Sequence, residues 1–471
     1  MKSTGFARTR ALIVVSALAL LAPLTLAAQR DAARTLERDL LKQLVEINTS
    51  DSAGHTREAA MAMQKRLVDA GLPAADVQVI GYEPKYQNLV ARYRGKNANL
   101  KPILLIAHLD VVDARKEDWS FDPYEFREID GYYYGRGTLD DKFGAASLVA
   151  SFIRYKQEGY VPDRDIIIAL TADEETTGNS IRWLLNKQRP LVDAEYALNA
   201  DAGGGEIKDG KNVSFTVQTA EKVYLSFSLE VKNKGGHSSL PEPDNAIYRL
   251  SEGLVKVSRH TFPVRLNETT KAYFEGKAKT QPVAIAADMR AVARTSDPAA
   301  AKRLSKVPFY NSAMRTTCIA TRLFAGHADN ALPQVARATV NCRMLPDDPA
   351  ESVEAMLKRV VADTAIHFSR VEAPTPSPAS PLRRDVMGSV EQLVKKMWPS
   401  AVVVPEMSTG ATDGAFTRKA GIPTYGVAAV FGVIDDDRSH GKDERIRVKS
   451  YHDAAEFWYQ LVKLLSSRTG A

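Results

Sequence analysis

Three short apolar runs constrain the fold of this 471-residue chain more than anything else in it. Residues 103–107 lead into His108-Leu109-Asp110. Residues 165–170 lead into Asp173-Glu174-Glu175. Residues 196–198 lead into Asp201 and the Gly203-Gly204-Gly205 loop. Runs this short and this continuously apolar suit strands buried on both faces. Helical stretches separate them, notably 145–157 and 179–187. Strands alternating with helices predict an α/β domain with a mainly parallel sheet flanked by helices. Ligands of such sheets bind beyond the carboxyl ends of the strands. Here each of those ends carries an imidazole or a carboxylate.

The rest of the chain organises around that domain. Residues 33–46 and 56–70 read as amphipathic helices. Near residue 220 the pattern changes. Residues 223–231 alternate as Val-Tyr-Leu-Ser-Phe-Ser-Leu-Glu-Val, a half-buried strand. A helix over 245–257, strands over 316–324 and 336–344, a helix over 349–363 and a strand over 367–371 follow. That order, β-α-β-β-α-β, is ferredoxin-like. Residues 261–312 form an insertion that the pattern does not place. Four prolines between 374 and 381 mark a boundary, after which helix and strand alternate again, ending in a helix over 451–465. The expected organisation is one α/β domain in two halves, 30–219 and 377–471, split by an inserted α+β lid, 220–376.

The first 28 residues read as an address. Lys2, Arg8 and Arg10 precede an apolar run over 11–22, then the small residues Ala27 and Ala28. This is the order of a secretory signal peptide. Twelve apolar residues are few against the ~20 that span a bilayer, so no stable membrane anchor is expected. The mature protein is expected to be exported, periplasmic or secreted. Removing that segment leaves 60 basic against 57 acidic residues, no electrostatic footprint for nucleic acid. Cys318 and Cys342 are the only cysteines. In an exported protein they can pair; two buried thiols are the other reading, and the sequence leaves the choice open.

The chemistry gathers at the strand ends. His108, Asp110, Glu174, Glu175 and Asp201 follow apolar runs, and Asp140-Asp141 follows Gly135-Arg136-Gly137 and precedes a helix. Taken singly, each has a plain structural reading: a hydrogen-bonded histidine, a helix N-terminus, a solvated turn. Together at one sheet edge the carboxylates would repel unless a cation neutralised them. Mixed imidazole and carboxylate donors suit zinc, and cobalt or manganese less strictly. Two metals sharing one carboxylate would use most of these groups in a hydrolytic site.

At these residues the chain resembles the dinuclear zinc exopeptidases and deacylases, which include glutamate carboxypeptidase, carnosine dipeptidase, aminoacylase, acetylornithine deacetylase and succinyl-diaminopimelate desuccinylase. The resembling segments are His108 to Val112, Gly135 to Lys142, Thr171 to Glu175, Asn199 to Asp201, Gly235 to Ser238, and Ser439-His440-Gly441 with Glu444. Residues 119–178 look most like the carboxypeptidase S branch. The resemblance implies two zinc ions per chain. His108 and Asp201 would hold one, Glu175 and His440 the other, and Asp140 would bridge them. Asp110 would accept the second imidazole N–H of His108, the usual support for a metal-ligating histidine. Glu174 would be the general base. The bond after Asp140 is often cis in such relatives. His237 would sit on the lid and stabilise the oxyanion across a homodimer. Asn330, Arg343, Gly410 and Thr412 would contact substrate, with Arg343 reading a carboxylate bidentately; an Arg343 turned to solvent on an alternating strand is the other reading. The expected substrate is a small peptide or N-acyl amino acid. An aminopeptidase or dipeptidase specificity, or a non-catalytic metal- or peptide-binding protein on the same fold, are the alternatives.

Overall fold

The computed structural model describes residues 28–52, 54–434 and 436–467. The predicted signal segment lies outside them, apart from its last residue. Among the described residues no helix is long and apolar enough to cross a membrane.

A ten-stranded sheet forms the main layer. Its order is Val77–Gly81, Gln87–Tyr93, Ile166–Thr171, Ile103–His108, Tyr196–Asn199, Thr424–Gly426, Lys211–Glu221, Gly204–Lys208 and Phe431–Val433, with Val402–Ser408 also paired to Lys211–Glu221. The three apolar runs of the sequence are neighbours at its centre. Ile103–His108 pairs in parallel with Ile166–Thr171 on one side and Tyr196–Asn199 on the other. Every residue of these strands is buried, which is why they read as unbroken apolar runs. The halves before and after the insertion close one sheet, since Thr424–Gly426 pairs in parallel with Tyr196–Asn199.

Helix Lys142–Gln157 packs between this sheet and the last helix, Val448–Ser466. It is buried on almost every side, and at Gly144 a Cβ would come within 2.5 Å of the Ala200 Cβ. The expected Gly203-Gly204-Gly205 loop is shorter than read, because Gly204–Lys208 is already a strand. Gly205 lies under the Phe431 ring, where a Cβ would come within 2.2 Å of a ring carbon.

The second sheet is antiparallel, in the order Thr317–Ala325, Val335–Met344, Val223–Lys232, His367–Arg370. Helices Ala246–Arg259 and Ala350–Val361 cover one face and share its apolar core. Chain order and sheet order are both ferredoxin-like. Cys318 and Cys342 lie opposite each other on adjacent strands and form a disulfide, which settles the open choice in favour of pairing.

The unplaced insertion is helical: Glu268–Lys277, Val283–Thr295, Pro298–Leu304 and Pro308–Met314. Its core closes on Val402 and Val404 of the main sheet, and Lys277 reaches Glu206 and Ser214 there. It therefore belongs physically to the α/β unit, although it sits inside the lid in the sequence.

Candidate metal centre and active site

Parallel register brings the strand ends together. His108 is opposite Thr171 at one end of the sheet, so the Asp173-Glu174-Glu175 turn emerges beside His108-Leu109-Asp110. Asp201 follows from the neighbouring strand. Asp140 arrives at the N-terminus of helix Lys142–Gln157, and the Asp140–Asp141 bond is cis. His440 comes from the second half, in a turn where its φ is +61°, a conformation uncommon for a side chain larger than glycine.

The geometry divides these groups into two sets around Asp140. One Asp140 oxygen lies 2.9 Å from His108 Nε2, which also faces Asp201 Oδ1 at 3.7 Å. The other Asp140 oxygen lies 3.1 Å from His440 Nε2, which is 3.0 Å from Glu175 Oε2. Glu175 Oε1 is buried with no hydrogen-bond partner. One carboxylate facing two histidines, each backed by a further carboxylate, fits two divalent cations with a shared ligand.

Without cations the neighbouring carboxylates favour the protonated imidazoles. Burial pulls the His108 imidazole down, but Asp110, Asp140 and Asp201 more than offset it and hold it well above its ordinary value. Asp140 and Glu175 raise His440 to about 10. Burial alone would raise the Asp140 carboxyl; the two histidines hold it below its ordinary value. Burial pushes Asp201 up to about 6 and, with the Asp201 charge nearby, pushes Glu174 well above the usual carboxylate range. Bound cations would reverse this pattern by favouring neutral imidazole and ionised carboxylate.

Asp110 differs from the expectation. His108 Nδ1 donates to the Asp110 backbone carbonyl at 2.9 Å, while the Asp110 carboxylate is 3.6 Å away. That carboxylate instead accepts the backbone N–H groups of Glu174 and Glu175, at 3.2 and 3.0 Å. One residue thus orients the histidine with its main chain and pins the two-glutamate turn with its side chain.

No hydrogen bond or ion pair among the described residues joins the remaining predicted residues to the five ligand candidates. His237 and Asn330 are together: Gly236–His237 pairs with Ala331–Leu332, and Ser238 N–H donates to the Asn330 carbonyl at 3.0 Å. His237 is exposed, its Nδ1 2.7 Å from Ser239 Oγ. Arg343 lies on the face of the second sheet away from the helices, its guanidinium 4.7 Å from the Tyr224 ring centroid. Gly410 is exposed; its N–H meets Ser408 Oγ. Thr412 is buried, and its hydroxyl is spent on Glu221 at 3.1 Å, which itself faces Arg418.

Three contributors went unassigned in the sequence. Glu444 is fully buried and accepts four hydrogen bonds, from Arg136 Nη1 at 2.6 Å and from the N–H groups of Gly137, Leu139 and Asp140 at 3.1, 2.7 and 3.1 Å. It holds the turn that delivers Asp140. Asp141 is buried with both oxygens unpartnered, and its carboxyl groups with His108 and Asp201; burial and the Asp201 charge push it well up. Asp413, in the Gly410–Gly414 loop, is also buried with both oxygens unpartnered, and burial raises it to about 8. Adjacency to Asp140 and to Thr412 was the available signal for the last two.

The family model described as peptidase family M20/M25/M40 matches residues 104–464. A human N-fatty-acyl-amino acid synthase/hydrolase, PM20D1, is 29% identical over 381 residues, 79% of this chain and 75% of that protein. A probable carboxypeptidase S-like 2 from Dictyostelium discoideum is 28% identical over 393 residues, 80% of this chain and 74% of that one. The crystal structure of the M20 family metallo-carboxypeptidase Sso-CP2 from Sulfolobus solfataricus superposes with a TM-score of 0.69 at 17% identity, covering 91% of this chain and 99% of that one. The chain belongs to peptidase family M20/M25/M40, whose members hydrolyse amide or peptide bonds.

Proposed function

We propose that this member of the M20 family is an exported, zinc-dependent hydrolase that cleaves an amide bond in small peptides or N-acyl amino acids bearing a free carboxylate. One observation carries the reading: the two oxygens of Asp140 face two different histidines, each with its own second carboxylate. His108 and Asp201 would hold one ion, His440 and Glu175 the other, with Asp140 shared. When bound, the ions supply Lewis acidity to the carbonyl and acidify a water.

The chain's own groups do the rest. Glu174, on the turn pinned by Asp110, takes a proton from the attacking water and returns it to the leaving amine as the C–N bond breaks. The buried setting that raises its carboxyl suits a base that must also act as an acid. Arg343 takes the substrate carboxylate, and His237 donates to the developing oxyanion. Export is supported by the basic and apolar order of residues 1–28 and by the disulfide, a bond of oxidising compartments. A homodimer through the lid is supported by the edge strand Thr317–Ala325, which exposes Ile319, Leu323 and Phe324.

The test is hydrolysis of a panel of dipeptides and N-acyl amino acids. Activity is expected to disappear with a chelator and return with zinc. Hydrolysis indifferent to chelator, or none with zinc restored, would overturn the reading.

A further inference from the structure

The chain first enters the lid where strand Lys211–Glu221 ends and Val223–Lys232 begins, with only Lys222 between them. Glu221 is fully buried there and takes no part in the hydrolytic chemistry above. Its carboxylate gathers four side chains. One oxygen faces Arg418 Nη1 at 3.3 Å and accepts the Ser377 hydroxyl at 3.5 Å. The other accepts the Thr412 hydroxyl at 3.1 Å and the Gln218 amide at 3.3 Å.

These partners come from separate passages of the chain. Ser377 lies on the return from the lid, after its last strand, His367–Arg370. Three residues on, the Ser380 N–H donates to the Thr219 carbonyl at 2.7 Å. Lys222 is buried too, and its ammonium donates to the Arg315 carbonyl, on the segment leading from the helical insertion into Thr317–Ala325. Thr412 belongs to the loop 410–414, whose start is held by the Lys222 N–H on the Ser408 carbonyl at 3.0 Å. The helix after that loop, Gly414–Lys419, abuts the turn that carries Glu174 and Glu175: a Cβ on Gly178 would come within 2.5 Å of a Phe416 ring carbon. Arg343 is near as well, opposite Tyr224, three residues beyond Glu221. Three passages between the lid and the α/β unit, and the loop beside the proposed base, thus meet at Glu221 and Lys222.

We propose that Glu221 is a positioning residue: it ties the loop 410–414 to the lid hinge and so sets the spacing between that loop and Arg343 for substrate binding. This rests on the hydrolase reading above. The physical reason is burial. A carboxylate out of water depends on the donors around it, and a lost partner is costly. A lid rotation that shifts the Glu221 main chain either carries Thr412 with it or breaks a hydrogen bond to a charged group. The loop therefore follows the lid.

The experiment reads kcat and KM separately for a dipeptide or N-acyl amino acid cleaved by the zinc-loaded enzyme, with metal content and hydrogen exchange measured on the same samples. Thr412→Val removes the hydroxyl and leaves the Glu221–Arg418 pair in place. It should raise KM about tenfold, the scale of one lost hydrogen bond to a charged group, with a smaller change in kcat and both ions retained. Thr412→Ser, which keeps the hydroxyl, should restore KM. Glu221→Gln should raise KM by a similar factor, and the double variant no further than the larger single one, because both break one link. Hydrogen exchange, which reports local opening, should quicken in Thr412→Val over residues 371–381 as well as 410–414, and this arm decides the matter should Glu221→Gln not fold. An unaltered KM in Thr412→Val, KM factors that multiply in the double variant, or exchange over 371–381 that does not change overturns the inference and leaves the hydrolase reading standing. Failure of the wild-type enzyme to cleave any dipeptide or N-acyl amino acid overturns the hydrolase reading, and the inference with it.

Discussion

Glu444→Gln is the perturbation whose consequences the structure defines most sharply. Four donors converge on the Glu444 carboxylate: Arg136 Nη1, and the N–H groups of Gly137, Leu139 and Asp140. They divide evenly, two on each oxygen. Glutamine keeps the shape but offers one acceptor oxygen and one donor nitrogen. Two of the four donors then meet an N–H₂ group, at about 1–3 kcal/mol for each buried donor left unsatisfied. Glutamine is neutral in either orientation, so the Arg136 guanidinium also loses its counter-charge, and breaking a buried pair costs about 3–5 kcal/mol. A loss of about 3 kcal/mol is expected, more than a hundredfold in the folding equilibrium. Urea unfolding should be run in chelator, because metal binding would otherwise add its own stabilisation. Metal analysis of the same variant should show weakened retention of both ions, since the turn that loosens is the one presenting Asp140. A Glu444→Gln protein within 1 kcal/mol of wild type, still holding two ions, would refute the assignment of Glu444 as the anchor of that turn.

Four further outcomes follow from the site. Asp140→Ala should lose both metals, read by metal analysis, because its two oxygens serve both sets; retention of one tight ion would mean the carboxylate is not shared. Glu174→Gln should retain metal and lose about 10²–10⁴-fold in kcat, the scale of general base catalysis, whereas Glu175→Gln should weaken one ion, and identical behaviour of the two variants would contradict their separate roles. Metal-free protein carries raised His108 and His440 imidazoles, the latter at about 10; zinc binding needs both neutral, so near pH 7.5 it should release protons, with affinity rising as pH rises toward 10, and calorimetry in buffers of different ionisation enthalpy would detect an absence of release. Mixing His237→Ala with Glu174→Gln, each inactive alone, should restore activity if the histidine is donated across a dimer; silence after verified subunit exchange would place His237 in its own chain's site or in none.

How far the sequence could be read follows from the range of the contacts involved. The central strands were legible because burial on both faces is written into each of them locally. The ferredoxin-like unit was legible from alternation, as in Val335–Met344, where one face is buried and the other is not. Val77–Gly81 went unread because this edge strand is only partly buried, and Gln87–Tyr93 because Gln87, Asn88 and Arg92 interrupt its apolar run although most of the strand is buried. The insertion could not be placed because its apolar helices close on Val402 and Val404, some hundred residues further along the chain.

The site itself divides in the same way. Its ligand candidates follow from residue type at strand ends, because parallel register leaves such ends little choice of neighbour. What orients them does not follow, for two physical reasons. Asp110 carries two kinds of acceptor, and only the turn of the backbone decides that its carbonyl takes His108 while its carboxylate takes Glu174 and Glu175. Glu444 meets its donors across about 300 residues, so no local pattern could announce that a carboxylate next to the His440 turn holds the turn of Asp140. The two turns that would share the metals are therefore one mechanical unit: a change that frees Glu444 would displace Asp140, the proposed shared ligand, and the segment carrying His440 together. With Asp140 bridging two ions as proposed, the dependence of one metal position on the other would reside in this buried carboxylate as well as in Asp140.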